Sequence, residues 1–484
     1  MVQSKENVFS NLLWRFFERS GAEIIQLLVS IVLARILAPE AYGTVAIVVV
    51  IAQISQVFVD SGLGNALIQK KDADDLDFSS VFYFNVVWCL IIYGIIFIIS
   101  PFIAEFYNDS SLTAIIRVLC LTVVISGLKN VQQAYVSRNL QFKKFFFATI
   151  GGTIFSAFVG IALALMGKGV WALVAQRLSN LLVDTIVLWI TVKWRPKLMF
   201  SFERLKVLIA FGWKLLASAL LDTVYLNVRQ LVIGKMYSKS NLAYYNQGEQ
   251  FPKMIVMNVN ASIDSVLLPT MSREQDNKEN IKNMTRRAIK TSTFVMAPLM
   301  LGLFFTADNV VRLVLSEKWM GCVPFLRIFC VSYLFYPIHT ANLNAIKALG
   351  RSDLFLKLEI VKKVVGIILL LVSMQYGVMA IAISSLFSTF SSIIINSWPN
   401  KKLLNYYYID QLKDMFSSLA LSLMMGVCVL MIGKMNAPIL VVLIIQIVLG
   451  GCIYVGLAVV TKNESFNYLL DVLKTFKSGR NRAE

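Results

Sequence analysis

Apolar runs long enough to cross a bilayer recur from one end of the chain to the other, separated by short polar segments rich in Lys and Arg. A continuous apolar run of roughly twenty residues spans the hydrocarbon core as an α-helix. The pattern predicts fourteen crossings, the first seven near 10–37, 41–63, 78–101, 113–133, 146–167, 170–192 and 208–236. The remainder lie near 241–271, 286–308, 322–348, 355–375, 377–398, 411–433 and 437–461. The expected fold is an all-α polytopic membrane protein, because a β-barrel would alternate apolar and polar residues along short strands instead.

The first run, NLLWRFFERSGAEIIQLLVSIVLARILAPEAYG from Asn11, carries Arg15, Glu18, Arg19, Glu23 and Arg35. Each such charge costs roughly 2.5–3.5 kcal/mol at a helix centre, against about 0.3–0.6 gained per Leu, Ile, Val or Phe. Helical phase explains the tolerance. At about 100° per residue, Arg15, Arg19, Glu23, Gln26 and Ser30 share one face, opposite Phe17, Ile24, Leu28 and Ile31. Arg35 sits at the outer end, where its stem can snorkel to headgroups. The run at 208–236 repeats the arrangement with Lys214, Ser218, Asp222, Tyr225 and Arg229. The run at 241–271 has a narrower stripe of Asn246, Glu249, Lys253, Asn260 and Asp264, with Pro252 as an expected bend. Three polar faces of this kind point to a hydrated central cavity. Internal pairs at i,i+4 spacing, such as Arg19 with Glu23 and Glu249 with Lys253, are the competing reading.

Two internal echoes suggest a duplication. Trp14-Arg15 with Glu23 recurs as Trp213-Lys214 with Asp222, and Gly169-Val170-Trp171-Ala172-Leu173 recurs as Gly377-Val378-Met379-Ala380-Ile381. The expected organisation is a six-helix lobe over 1–200, a second over 201–405, two extra helices over 406–461 and a cytoplasmic tail over 462–484. Six is even, so the lobes form a parallel repeat about an axis along the membrane normal. In the tail, Phe466, Leu469, Leu470, Leu473 and Phe476 with Lys474 and Lys477 read either as an amphipathic surface helix or as a disordered basic segment.

Composition agrees: of 484 residues, 57% are hydrophobic and 15% charged, and the mean hydropathy is +0.69. The net charge of +18 would suggest nucleic acid in a soluble protein, but cytoplasmic loops of membrane proteins collect Lys and Arg. Lys70, Lys71, Arg138, Lys143, Lys144, Lys193, Arg195 and Lys197 all fall on one side of the alternation, and the opposite loops hold few basic residues. Both termini are therefore expected to be cytoplasmic. The six cysteines lie scattered in apolar segments without CxxC spacing, and His339 is the single histidine, so no metal site is indicated. Gly433-Lys434 lacks a Walker context. Asp72-Ala73-Asp74 resembles a metal-binding DxD motif but sits in a loop too short for a nucleotide-sugar domain, and reads as a solvated charge run. The longest outer loop, near 306–321, is too small for a catalytic domain, which argues against an enzyme.

The stretches LARILAPEAYG, DSGLGNALIQK from Asp60, SRNLQFKK from Ser137, EKWMGCVPFLRI from Glu317 and KALGRSDLF from Lys347 make the chain resemble a known family. It is the polysaccharide transport family of the multidrug/oligosaccharidyl-lipid/polysaccharide exporter (MOP) superfamily, of the O-antigen and colanic-acid flippase type. The resemblance implies two six-helix lobes around a central cavity, alternating access, and an undecaprenyl-pyrophosphate-linked oligosaccharide as cargo in the bacterial inner membrane. A cationic cavity suits pyrophosphate, since Arg and Lys offer charge-assisted hydrogen bonds to phosphate oxygens. Arg15, Arg19, Lys214, Arg229 and Lys253, with Arg177 as a further candidate, are the expected pyrophosphate ligands. They are chosen by helical phase and depth, because the matched motifs lie elsewhere. Glu23, Asp222, Glu249 and Asp264 are candidates for coupling to a proton or sodium gradient, with internal salt bridges as the competing role. No cofactor is expected. Membrane lipids and other polysaccharide assembly proteins are expected partners; nucleic acid is not. The alternative function is a drug/cation antiporter of the same superfamily, which ordinarily ends near twelve helices; the polar faces hold five cations against five anions, so charge balance does not separate the two.

Overall fold

The structure is a computed structural model that describes residues 5–60 and 63–480, and all its regular elements are helical. The chain divides into two compact units, the first ending at Ala243 and the second beginning at Tyr244.

The N-terminal unit contains α1 (Lys5–Ile36), α2 (Pro39–Asp60), α3 (Leu63–Gln69), α4 (Asp75–Phe106) and α5 (Ser111–Leu119). It continues through α6 (Leu121–Arg138), α7 (Phe142–Leu165), α8 (Val170–Thr191) and α9 (Phe202–Met236). The second unit is built on α10 (Lys239–Arg273), α11 (Lys278–Val314), a 3-10 turn over Glu317–Cys322, α12 (Val323–Leu334) and α13 (Tyr336–Ala348). Then follow α14 (Ser352–Ser373), α15 (Val378–Leu404), α16 (Tyr408–Ile432), α17 (Ile439–Val460) and α18 (Glu464–Arg480).

Each of the fourteen expected runs falls in one long helix or in a helix pair broken at one residue, Cys120 or Phe335. Among the described residues, twelve helices are long and apolar enough to cross a membrane. The other two expected runs fall in α1, with Arg35 in its last turn, and in α14, with Lys357, Glu359, Lys362 and Lys363. A count of fourteen spans therefore does not follow from apolarity alone.

At the end carrying its basic loops, the N-terminal unit is closed by a polar lock. Asp74 caps α4 by accepting from the Asp77 backbone N–H at 3.0 Å, while the Asp77 carboxylate accepts from the Asp74 N–H at 3.2 Å. Arg204 binds Asp74 at 2.7 Å and Lys70 binds Asp77 at 2.7 Å. The Arg204 guanidinium and the Asp77 N–H hold the Asp74 carboxyl down at about 2. Asp74 is therefore a helix cap and ion-pair partner, more than the solvated charge its sequence context suggested. Arg138 binds the carbonyls of Leu67, Lys70 and Lys71 at 2.7, 2.5 and 2.6 Å, fixing the chain after α3. The connector between α8 and α9 is pinned to α4: Ser79 and Ser80 hydroxyls accept from the N–H groups of Lys197 and Ser201 at 3.0 and 2.9 Å. Trp194 packs among Phe78, Phe82 and Tyr135. Leu205 and Leu208 of α9 join the same buried cluster.

In the second unit α10 runs unbroken through Pro252 and Pro269. Helix α11 is longer than its apolar run, extending back to Lys278 and on to Val314. The segment near 306–321 is thus mostly helix rather than an outer loop, because the buried stripe of Ala307, Val311 and Leu315 continues through it. Helices α16 and α17 pack on α11 through Phe294, Leu421, Met425, Val429 and Tyr454, and Phe466 and Leu469 of α18 lie against that cluster. Of the two readings of the tail, helix is the one observed over Glu464–Arg480. The GVWAL/GVMAI echo has a backbone counterpart: Gly169 before α8 and Gly377 before α15 both take positive φ, 54° and 104°, which glycine adopts without strain.

Helices α7 and α8 approach closely at Gly152. A Cβ there would lie 2.7 Å from the Asn180 carbonyl oxygen, whereas one on neighbouring Gly151 would meet nothing within 4 Å. Gly152→Ala should lower stability by about 1–3 kcal/mol, and Gly151→Ala should be neutral or stabilising by up to about 1 kcal/mol. Thermal unfolding of both variants in detergent checks the contrast.

Candidate functional site

Within the N-terminal unit the polar side chains collect along two helix stripes. On α8, Arg177, Asn180 and Asp184 are spaced three and four residues apart; on α6, Lys129, Gln133 and Ser137 are spaced four apart. Each set shares one helix face. The stripes meet where Lys129 Nζ pairs with Asp184 Oδ2, their side chains 11% and 10% exposed. Asp184 Oδ1 is buried and has no hydrogen-bond partner among the described residues. Asn130 extends the cluster, accepting from Asn85 Nδ2 and donating to Asp60 Oδ1, both at 3.4 Å. Above it, Asn180 Nδ2 donates to Ser156 Oγ at 3.2 Å. From α1, Glu18 is buried and accepts from Thr149 at 3.3 Å. Glu18, Asn65, Lys129, Asn130, Gln133 and Asp184 are among the residues lining a cleft of about 300 Å³ between α1, α3, α6, α7 and α8.

The side chains of Arg15 and Arg19 lie outside the described residues. Glu23, Arg177, Lys214 and Asp222 are exposed. Arg229 is half-buried, and its Nε and Nη2 are buried without a hydrogen-bond partner among the described residues. Lys214 and Arg229 share a helical face but stand fifteen residues apart on α9, about 22 Å along the axis. One pyrophosphate does not reach both at once.

The second unit holds the other candidates. Glu249 Oε1 accepts from the Tyr333 hydroxyl at 2.6 Å, and Lys253 Nζ stands 3.7 Å away. Asp264 Oδ1 accepts from Asn344 Nδ2 at 2.6 Å. Asn260, on the same stripe of α10, is buried with both amide atoms unpartnered among the described residues. The i,i+4 pair of Glu249 and Lys253 exists but is loose, and the main partner of each acid is a neutral donor. His339 is buried against Asn396 at 3.0 Å, and Asn342, Ser397, Asn400 and Gln411 form a buried amide network tying α13 and α15 to α16.

Lys129, Asp184, Asp60 and Asn130 were not picked out from the sequence. The available signal was the four-residue spacing of Lys129, Gln133 and Ser137 and the match of Arg177 and Asp184 on α8.

A family model described as "Polysaccharide biosynthesis protein" matches residues 32–324. The chain is 26% identical over 306 residues to the teichuronic acid biosynthesis protein TuaB of Bacillus subtilis, covering 62% of each chain. It is 25% identical over 338 residues to the lipopolysaccharide biosynthesis protein WzxC of Escherichia coli, covering 68% of each. With the succinoglycan biosynthesis transport protein ExoT of Rhizobium meliloti the identity is 23% over 327 residues, 68% of this chain and 66% of that one. The aligned stretch thus spans under two thirds of TuaB and ExoT. Among solved structures, the lipid II flippase MurJ in an inward closed conformation superposes with a TM-score of 0.75 at 15% identity, over 94% of this chain and 98% of its own. An inward-facing multidrug resistance transporter of the MATE family of the MOP superfamily gives 0.61 at 16% identity, over 82% and 95%. The fold is that of this superfamily.

Removing one partner of a buried ion pair leaves the other uncompensated, which costs about 3–5 kcal/mol. Lys129→Met should therefore destabilise the protein by that order, and Lys129→Met with Asp184→Leu should recover most of it. Unfolding midpoints in detergent test this; an unchanged midpoint in the single variant would mean the pair is hydrated.

Proposed function

The chain belongs to the polysaccharide biosynthesis protein family, and we propose that it is an alternating-access flippase for a lipid-linked oligosaccharide. In this reading it carries an undecaprenyl-pyrophosphate-linked head from the cytoplasmic to the periplasmic face of the bacterial inner membrane, for surface polysaccharide synthesis. The protein is not an enzyme; it changes the leaflet of its cargo and makes or breaks no bond in it. The basic loops face the cytoplasm, which puts both termini there. The sequence echoes support lobes over 1–200 and 201–405 as the duplicated parts.

The observation that carries the reading is Arg229. A guanidinium on a membrane-spanning helix with two buried nitrogens unpartnered among the described residues is costly unless an anion visits it. Pyrophosphate meets that need with charge-assisted hydrogen bonds. Exposed Arg177 and Lys214 offer further cations in the same unit, and Lys253 one in the second. Because Lys214 and Arg229 differ in depth by about 22 Å, they serve as successive contacts rather than as one clamp. Glu249 and Asp264, each held by a neutral donor, are suited to take up a proton or sodium ion; Glu23 and Asp222 are the corresponding acids of the first unit. A drug/cation antiporter shares the fold, but the family membership favours the polysaccharide cargo.

In cells lacking the gene, lipid-linked oligosaccharide should accumulate in the cytoplasmic leaflet and surface polysaccharide should disappear. The wild-type gene should restore both, and Arg229→Ala should restore less than about a tenth of the surface polysaccharide at equal expression. Full activity of the Ala variants at Arg15, Arg19, Lys214, Arg229 and Lys253 alike would defeat the pyrophosphate assignment. Unchanged polysaccharide with altered drug sensitivity would favour the antiporter.

A further inference from the structure

The cleft of the N-terminal unit has a chemistry unlike that around Arg229. We propose that it is a carbohydrate subsite, which takes a neutral hydroxyl- and amide-bearing sugar of the oligosaccharide head and does not take the pyrophosphate. This rests on the transport reading above and says which part of the cargo goes where.

Charge comes first. The lining holds two carboxylates, Glu18 and Asp184, and one ammonium, Lys129, already engaged by Asp184. An entering phosphate would have to compete with Asp184 for Lys129, and an entering metal or organic cation with Lys129 for Asp184. A neutral group meets neither penalty.

Hydrogen-bond inventory points the same way. Asp184 Oδ1 is a buried acceptor without a partner among the described residues. A sugar hydroxyl donates to it, whereas ionised pyrophosphate has no proton to give. Asn65, Gln133 and Ser137 also line the cleft and make no side-chain hydrogen bond among the described residues. Each amide both donates and accepts, which matches the paired donor and acceptor character of vicinal hydroxyls and of an acetamido group. Ile68 and Ala134 supply an apolar wall for the C–H face of a ring.

Size and place complete the case. A volume of about 300 Å³ is at the lower end of small-molecule sites, so the cleft takes one end of the head rather than a whole repeat unit. Its residues lie toward the basic-loop end of the unit, where Arg138 and Lys70 are found, the side from which the cargo arrives in the proposed direction of transport. The cleft then reads which sugar is presented before the pyrophosphate reaches the cations deeper in the unit.

The test uses the full chain in nanodiscs with two probes: the lipid-free oligosaccharide released by mild acid from the lipid-linked pool of the deletion strain, and inorganic pyrophosphate. Gln133→Ala and Asn65→Ala should each weaken oligosaccharide binding by roughly 3- to 10-fold and leave pyrophosphate binding unchanged. Arg229→Ala should do the reverse. Neither Gln133 nor Asn65 holds another side chain, so both variants should fold, and their unfolding midpoints are measured alongside. Oligosaccharide binding equal to wild type in both variants overturns the subsite, as does pyrophosphate binding that falls with Gln133→Ala or displacement of the oligosaccharide by sodium chloride but not choline chloride. Restoration of surface polysaccharide by the wild-type gene is read in parallel. Its failure defeats the transport reading, whereas success with unaffected variants defeats only the cleft.

Discussion

Hydrocarbon offers no hydrogen bonds, and that constraint organises both units. Every polar group on a spanning helix must be met by another helix, by water in a cavity, or by whatever the protein admits. Most are met from within. Lys129 and Asp184 close on one another across α6 and α8, Asn180 reaches Ser156 across to α7, and Glu249 and Asp264 accept hydrogen bonds from Tyr333 and Asn344. Among those without a partner in the described residues are Arg229, Asn260 and one oxygen of Asp184, which in the transport reading are places for a visitor to complete.

These groups differ in sign as well as position. The guanidinium on α9 seeks an acceptor, whereas the carboxylate oxygen on α8 seeks a donor. A cargo with an anionic linkage and a hydroxyl-rich head carries both. Such a division lets affinity for the invariant part of the cargo and discrimination among its sugars be set by separate residues, so that one can vary without the other.

Much of the fold was legible because a membrane helix must be long and apolar, and those two properties are visible in one dimension. The fourteen expected runs fall on helices, yet α11 shows why ends are harder. Its buried stripe outlasts its apolar run on both sides, into residues such as Lys278 and Arg312 that composition assigns to loops. The polar faces of α9 and α10 were legible from phase. Phase gives direction but not height, however, so Lys214 and Arg229 looked like neighbours although they stand about 22 Å apart. Lys129 and Asp184 escaped for a different reason. Each shares its apolar run with one other charge, and what makes them a site is a partner 55 residues away, which no periodicity within one helix reveals. Asp74 escaped likewise, its meaning depending on Arg204 across the connector.

The pinned connector bears on how the chain is made. The first unit is not complete when α8 leaves the ribosome. Its aromatic cluster waits for Leu205 and Leu208, and α2 waits for Gly234, whose backbone sits against Ile47. At roughly 5–20 residues per second of synthesis, the helices before α9 stand in the insertion machinery for several seconds with their seam open. The translocon must therefore shelter this half-built bundle, and the helix that seals it is the last long one of the unit, α9.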